Sequence, residues 1–303
     1  MNILIAGASG FIGRHLVTAL HAKYNITVLG RDKFKLKQAF PKTLTYLTWD
    51  ELSQTSAQQY DIIINLCGHN IAASRWTNQV KQKIISSRVR TTTALIDWIL
   101  ATNAKPRLFV ANAVGIYGTQ NNDDATAFDE DSFIDMKHPR DFLSEVGIAW
   151  QQALQAAITH ELKPVIMRFG VVLQKGEGIL KKLDLSFKLG LGGIIGSGQQ
   201  VISWVHIDDV IAAFLFLIEH PTLQGAFNIT SPNPVKQKEF AKALAKSMHR
   251  PLLLTMPAFM IKALFGEMGE YLLLRGQRVL PKRLLAAGFN FSHPYIDEAL
   301  QAD

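Results

Sequence analysis

The 303-residue sequence reads as an α/β protein built on a doubly wound parallel sheet, with a smaller C-terminal α/β lobe. Three observations carry that reading. Apolar strand-like runs alternate with amphipathic helical stretches through the first half of the chain. The first strand runs directly into a glycine-rich turn, GASGFIG at 7–13. After about Val171 the alternation weakens and glycine and proline punctuate shorter segments. Strands separated by helices of this length are joined by crossovers, which lays them parallel and covers both faces of the sheet.

The elements follow in order. Asn2 to Ala6 is a short apolar strand, and Phe11, Ile12, Leu16, Ala19 and Leu20 fall on one face of a helix over 11–22. Asn25 to Leu29 is the next strand. Further strands are expected at 62–65, 107–111 and 164–169, with helices at about 78–100 and 142–160. Beyond these, GLGGIIGSG (190–198) leads to SWVHIDDV (203–210) and an apolar helix ending near Glu219, and another helix is expected at 236–248. No internal repeat and no low-complexity linker interrupts the chain.

Composition excludes several classes. Hydrophobic residues make up 48% and charged residues 19%, with a mean hydropathy of +0.10, the balance of a folded domain rather than a disordered chain. The N-terminus lacks the pattern of a secretory signal, and no apolar run reaches the ~18 residues of a membrane helix. Cys67 is the only cysteine, which excludes an internal disulfide and a cysteine-based zinc site and suits a reducing, cytoplasmic setting. The net charge of +7 comes from scattered lysines and arginines, with no basic helix or aromatic-interleaved stretch that would suggest nucleic acid or a membrane surface as partner. A small, phosphate-rich ligand is the better expectation.

The turn at 7–13 supplies the reason. Gly7, Gly10 and Gly13 form a variant of the dinucleotide fingerprint: glycines allow a tight turn and close approach to a pyrophosphate, while the following helix aims its free N–H groups and positive dipole end at the phosphates. Strand before and helix after are the context that gives a glycine motif its weight. Ser9, Phe11 and Ile12 belong to the same turn, and Cys67 and Gly68, following the 62–65 strand, join the cofactor-binding set. The ribose-reading position lies about 20 residues past the glycines. Arg31 stands there and suits a 2′-phosphate, favouring NADP(H) over NAD(H), with Asp32 beside it as the competing reader of a free hydroxyl. Asp50 is a candidate for the adenine amino group or, equally, a turn aspartate. Residues 1–170 are thus expected to form a Rossmann-like NADP-binding domain to which 203–219 return. Most of 171–303 would form a substrate lobe, with a ligand between the two.

With those residues in hand, the chain resembles the extended short-chain dehydrogenase/reductases, the nucleotide-sugar epimerases and dehydratases. GASGFIG, RVRTTTALI (88–96), AVGIYG (113–118), MRFGVVL (167–173) and WVHIDDV (204–210) carry the resemblance. RWT (75–77), GLGGIIGSG and the tail GEMGEYLLLRGQRVLPKRLLAAGF (266–289) look more specifically like an atypical epimerase-like branch with its own C-terminal domain. The resemblance implies a serine or threonine that orients substrate, a tyrosine that exchanges its proton, and a lysine four residues on that lowers the phenol pKa. Asn112, Phe142 and Val146 stand at those places, and neither phenylalanine nor valine transfers a proton.

The residues left to move a proton are Glu145, Tyr117 and Asn112 with a water. Arg88, which replaces an asparagine common in the wider group, is a candidate anion holder, with Arg168 and Trp204 as further substrate-binding candidates. His206 and Asp208 read as supports of the cofactor site or of helix packing, with no metal-ligand partner at a recognisable spacing. The expected function is an NADP(H)-binding epimerase- or reductase-like oxidoreductase for a nucleotide-sugar-like or other phosphorylated carbonyl or hydroxyl compound. The competing reading is a non-catalytic NADP(H)-responsive binding protein. Apolar stripes on the helices at 78–100 and 142–160 would serve either a homodimer or the protomer's own core.

Overall fold

The computed structural model describes residues 1–189 and 192–302. Seven strands form one parallel sheet: β1 (Asn2–Ala6), β2 (Asn25–Gly30), β3 (Thr45–Thr48), β4 (Ile62–Asn65), β5 (Arg107–Ala113), β6 (Val165–Phe169) and, later in the chain, β11 (Gly225–Ile229). Their order is β11-β6-β5-β4-β1-β2-β3. The chain therefore builds outward from β1 through β3, crosses back, and builds the other way from β4. The reversal lies between β1 and β4, where ligands of open α/β sheets bind at the carboxyl ends. Every residue of β4 and β6 is buried, as strands covered on both faces require.

Helices α1 (Phe11–Leu20), α2 (Lys33–Ala39), α3 (Asn78–Ala101), α4 (Phe142–Gln152) and α5 (Gln155–Thr159) connect these strands. The helix expected over 142–160 is two helices. Leu154 N–H donates to Gln151 O at 3.1 Å, a tightened turn that ends α4, and the fully buried Leu154 side chain anchors the break. Val114–Tyr117 form a short 3-10 turn that Gly147 lets α4 approach closely: a Cβ at 147 would lie 2.6 Å from that of Ile116.

The later segments are β7 (Val171–Leu173), α6 (Gly178–Lys188), β8 (Gly193–Ile195), β9 (Val201–Ile202), β10 (Trp204–His206), α7 (Ile207–Glu219), β12 (Val235–Lys236), α8 (Gln237–Ser247), β13 (Leu254–Met256) and α9 (Ala258–Gly269). They pair as β7 with β10, β9 with β12 and β8 with β13. Gly190 and Leu191 of the glycine-rich stretch lie outside the described residues. The return to the first domain is longer than 203–219, because β11 also adds an edge strand beside β6.

The main core joins β1, β4, β5 and β6 to α1 and α7 through residues such as Leu16, Phe109, Phe169 and Phe214. Each such side chain contributes about 1.5–3 kcal/mol by leaving water. A second core unites Leu173, Phe187, Trp204, Phe240, Leu244 and Ile296 in the C-terminal lobe. No described helix is long and apolar enough to cross a membrane.

Candidate functional site

The turn after β1 takes its shape from its glycines. Gly7 has φ of +79°, and a Cβ there would lie 2.7 Å from the Leu66 carbonyl carbon and 2.9 Å from Cys67 N. A Cβ on Gly13 would meet Gly7 O at 2.5 Å and Ala8 O at 2.6 Å, so the third glycine lets α1 sit directly on the turn. Gly10 caps α1 with no side-chain hydrogen bond, which leaves the helix N–H groups open at the switch point. Ser9 is exposed, and its carbonyl accepts from Arg14 Nη1 at 3.0 Å. Arg14 also pairs with Glu177, as does His15 at 3.1 Å, tying α1 to the chain entering α6. The Phe11 ring closes this junction: a Cβ on Gly178 would lie 3.2 Å from it. Ile12 is half-buried beside it against the main core.

At the end of β2 the cations are divided. Asp32 caps α2, its carboxylate accepting from Phe34 N at 3.0 Å and Lys35 N at 3.1 Å. These N–H groups hold its carboxyl below the usual carboxylate range. Lys33 pairs with Glu51 at 2.6 Å, and Lys35 lies 3.6 Å from Asp32. Arg31 is exposed, and no hydrogen bond or ion pair engages it among the described residues. Its charge reaches Cys67, whose thiol burial nonetheless pushes up to about 12. Cys67 is thus a neutral thiol in the floor of the cleft rather than a nucleophile. Asp50 is exposed in the 3-10 turn after β3.

Arg88 reaches from α3 to the same floor. Its Nη1 donates to His69 O at 3.0 Å and Ile84 O at 2.9 Å, and the guanidinium lies 5.0 Å from the Trp150 ring centroid. A Cβ on Gly68 would touch its Cζ at 3.1 Å. Nε is buried without a partner and no carboxylate pairs with the group among the described residues. Burial lowers its pKa to about 10, so it remains a cation at neutral pH.

Phe142 and Val146, the positions at which the resemblance expects the tyrosine and lysine, are packed. Phe142 and Val146 are buried with Trp76, Ile84 and Met268, and Phe265, Tyr271 and Leu272 pack against them. Lys81 sits 5.0 Å from the Phe142 ring centroid and pairs with Glu267 at 2.6 Å, and Arg75 donates to Ala263 O at 3.3 Å. Phe142 and Val146 of the apolar stripe on α4 are thus packed within the protomer.

Three of the expected site residues are buried and engaged in hydrogen bonds. Tyr117 is 3% exposed, its hydroxyl donating to Asn228 Oδ1 at 2.9 Å and accepting from Arg168 Nη1 at 2.7 Å, and burial pushes its pKa up. Arg168 is 4% exposed and spends Nη2 on Gln151 at 2.9 Å. Trp204 is wholly buried in the C-terminal core, its indole donating to Asn233 O at 3.0 Å. All three are buried and hydrogen-bonded within the protein. Asn112 is also buried, bonded to Gly147 O at 3.1 Å, while its exposed neighbour Ala113 ends β5 without a functional group. Glu145 is exposed on α4. His206, which caps α7, and Asp208 lie beside His293, a residue 85 positions from Asp208 that sequence spacing could not reveal.

Residues 3–230 match the NAD dependent epimerase/dehydratase family, and residues 256–302 match a domain of unknown function, DUF1731. The epimerase family protein YfhF of Bacillus subtilis is 36% identical over 99% of this chain and 97% of its own length. The epimerase family protein SDR39U1 homolog, chloroplastic, of Arabidopsis thaliana is 38% identical over 100% of this chain and 86% of its own. The crystal structure of human epimerase family protein SDR39U1 (isoform 2) with NADPH superposes with a TM-score of 0.87 at 30% identity, covering 100% of this chain and 98% of that one. A Thermus thermophilus UDP-glucose 4-epimerase complex with NAD shares the fold, with a TM-score of 0.76 at 17% identity over 99% of this chain and 97% of that one.

Proposed function

This chain belongs to the NAD dependent epimerase/dehydratase family, and from that premise we propose that it is an NADP(H)-binding, epimerase- or reductase-like oxidoreductase. Its substrate is a nucleotide-sugar-like or other phosphorylated carbonyl or hydroxyl compound. The observation that carries the cofactor preference is the division of charge after β2: Asp32 is committed to capping α2 while Arg31 has no hydrogen bond or ion pair among the described residues. A free guanidinium there suits a 2′-phosphate, and the human relative holds NADPH.

Gly7, Gly10 and Gly13 with the open end of α1 would hold the pyrophosphate, Arg31 the 2′-phosphate, Asp50 the adenine side, and Cys67 and Gly68 the floor. The bound cofactor supplies hydride chemistry. Arg88 keeps a fixed positive charge beside Gly68 and would orient an anionic group or a developing oxyanion. Tyr117 and Asn112 are spent on internal hydrogen bonds, so the proton comes from Glu145, from water or from the substrate itself. The lone, neutral Cys67 thiol fits a cytoplasmic setting.

A second reading is favoured by one observation: the apolar closure of Phe142 and Val146 beneath Met268. On that reading the chain binds NADP(H) without turnover and its C-terminal segment reports occupancy to a partner. Single-turnover oxidation separates the two. Protein loaded with stoichiometric NADPH is mixed with pooled nucleotide sugars and phosphorylated carbonyls. Loss of the reduced-nicotinamide absorbance, absent in Gly10→Asp, establishes the oxidoreductase; tight NADPH binding with no oxidation by any pool establishes the binding protein.

A further inference from the structure

Outside the dinucleotide cleft, the start of α7 and the segment Ser292–Pro294 bring three ligand-type side chains together. His293 Nε2 lies 3.3 Å from Asp208 Oδ2, and His206 Nδ1 lies 3.4 Å from the same oxygen. All three ligand atoms fall within 4.8 Å of one another, and the two imidazoles meet edge to face with centroids 4.3 Å apart. We propose that His206, Asp208 and His293 bind one divalent transition-metal ion, zinc by preference, which fastens the C-terminal segment to the nucleotide-binding domain.

The distances suit the ion. Zinc bonds to imidazole nitrogen and carboxylate oxygen of about 2.0–2.2 Å give tetrahedral edges of about 3.3–3.6 Å. Two of the three edges already have that length, and a small rotation of His293, whose side chain is 20% exposed, closes the third. His206 Nδ1 accepts from the Asp208 N–H at 3.3 Å, so it is unprotonated in this arrangement and exchanges that long hydrogen bond for the ion on binding. Two neutral imidazoles and one carboxylate are a nitrogen and oxygen set that zinc accepts, leaving a fourth position for water. The Asp208 side chain is 65% exposed and opens a path for the ion.

The frame is set without the ion. Both Asp209 oxygens accept from the backbone, Ser292 N at 2.6 Å and His293 N at 3.0 Å. Pro294 O accepts from Ser231 Oγ at 2.7 Å and Asn233 Nδ2 at 3.0 Å. The ligands thus stand on two segments already locked in register, and buried Asp209 adds negative charge behind the site. Outer groups that hold ligands in this manner support metal affinity.

The test uses the full chain without a histidine tag, stripped with chelator and titrated with cobalt(II) as a spectroscopic probe, then with zinc in competition. One equivalent should bind, with the ligand-field absorption of a tetrahedral site that zinc displaces, and zinc should raise the unfolding temperature. His293→Ala and Asp208→Asn, at positions outside the core, should each weaken binding more than about 10-fold. His138→Ala, at an exposed pair with Asp135, should leave it unchanged. No saturable one-equivalent binding, or equal affinity in wild type and both cluster variants, would overturn the site and leave a hydrogen-bonded latch only.

Discussion

Trp76 meets Phe142 edge to face, with ring centroids 4.7 Å apart and planes at 68°. A residue from the loop before α3 thereby closes over the place where a proton-donating phenol would stand, and Met268 from the C-terminal segment seals it. Aromatic pairs of this geometry add about 0.5–1.5 kcal/mol to ordinary burial.

Restoring the absent pair should therefore harm the fold. Phe142→Tyr with Val146→Lys sets a hydroxyl and an unpaired ammonium into an apolar cluster, and should cost about 3 kcal/mol or more of stability in urea denaturation. Wild-type stability in the double variant would mean that these positions open to the cleft.

Gly10→Asp should separate binding from folding. Gly10 has φ of −74°, which any residue adopts, and aspartate is a favoured N-cap, so the unfolding temperature should hold or rise. The added carboxylate occupies the place of the phosphates and should abolish NADPH binding. A fluorescence titration read beside a thermal melt checks both halves.

Tyr117→Phe tests whether the phenol does chemistry or supports the core. It removes the hydroxyl partner of Asn228 Oδ1 and Arg168 Nη1 and should destabilise by about 1–3 kcal/mol, with NADPH affinity unchanged. A variant of normal stability that loses oxidation of NADPH would return Tyr117 to the catalytic set.

Arg88 is a half-buried cation with no acidic partner among the described residues, an arrangement that costs stability and is retained where it serves binding. Arg88→Met keeps most of the volume and removes the charge. Its unfolding temperature should equal or exceed the wild-type value while binding of phosphorylated substrates weakens. A lower melting temperature with unchanged binding would make Arg88 a structural residue.

What the sequence discloses here is what local patterns encode. GASGFIG places the turn because the close approaches of Gly7 and Gly13 involve the strand and helix on either side of it and the neighbouring chain at 66–67. Arg31 is legible because it follows β2 directly. Features made by distant contacts are not. Tyr117 is neutralised as a candidate by Asn228, 111 residues away, and the His293–Asp208 pair spans 85. The burial of Asn112 follows from strand alternation: it bonds Gly147 of α4, while Ala113 is exposed. β11 lies outside the early strand–helix alternation, and its place beside β6 comes from tertiary pairing.

The central claim is that Arg31 reads the cofactor, and the dissociation constants of NADPH and NADH for wild type and Arg31→Ala test it most directly. NADPH should bind more tightly than NADH to the wild type. Arg31→Ala should weaken NADPH by about 2 kcal/mol, roughly 30-fold, and leave NADH unchanged. Equal wild-type affinities, or an NADPH affinity indifferent to Arg31→Ala, would contradict the account.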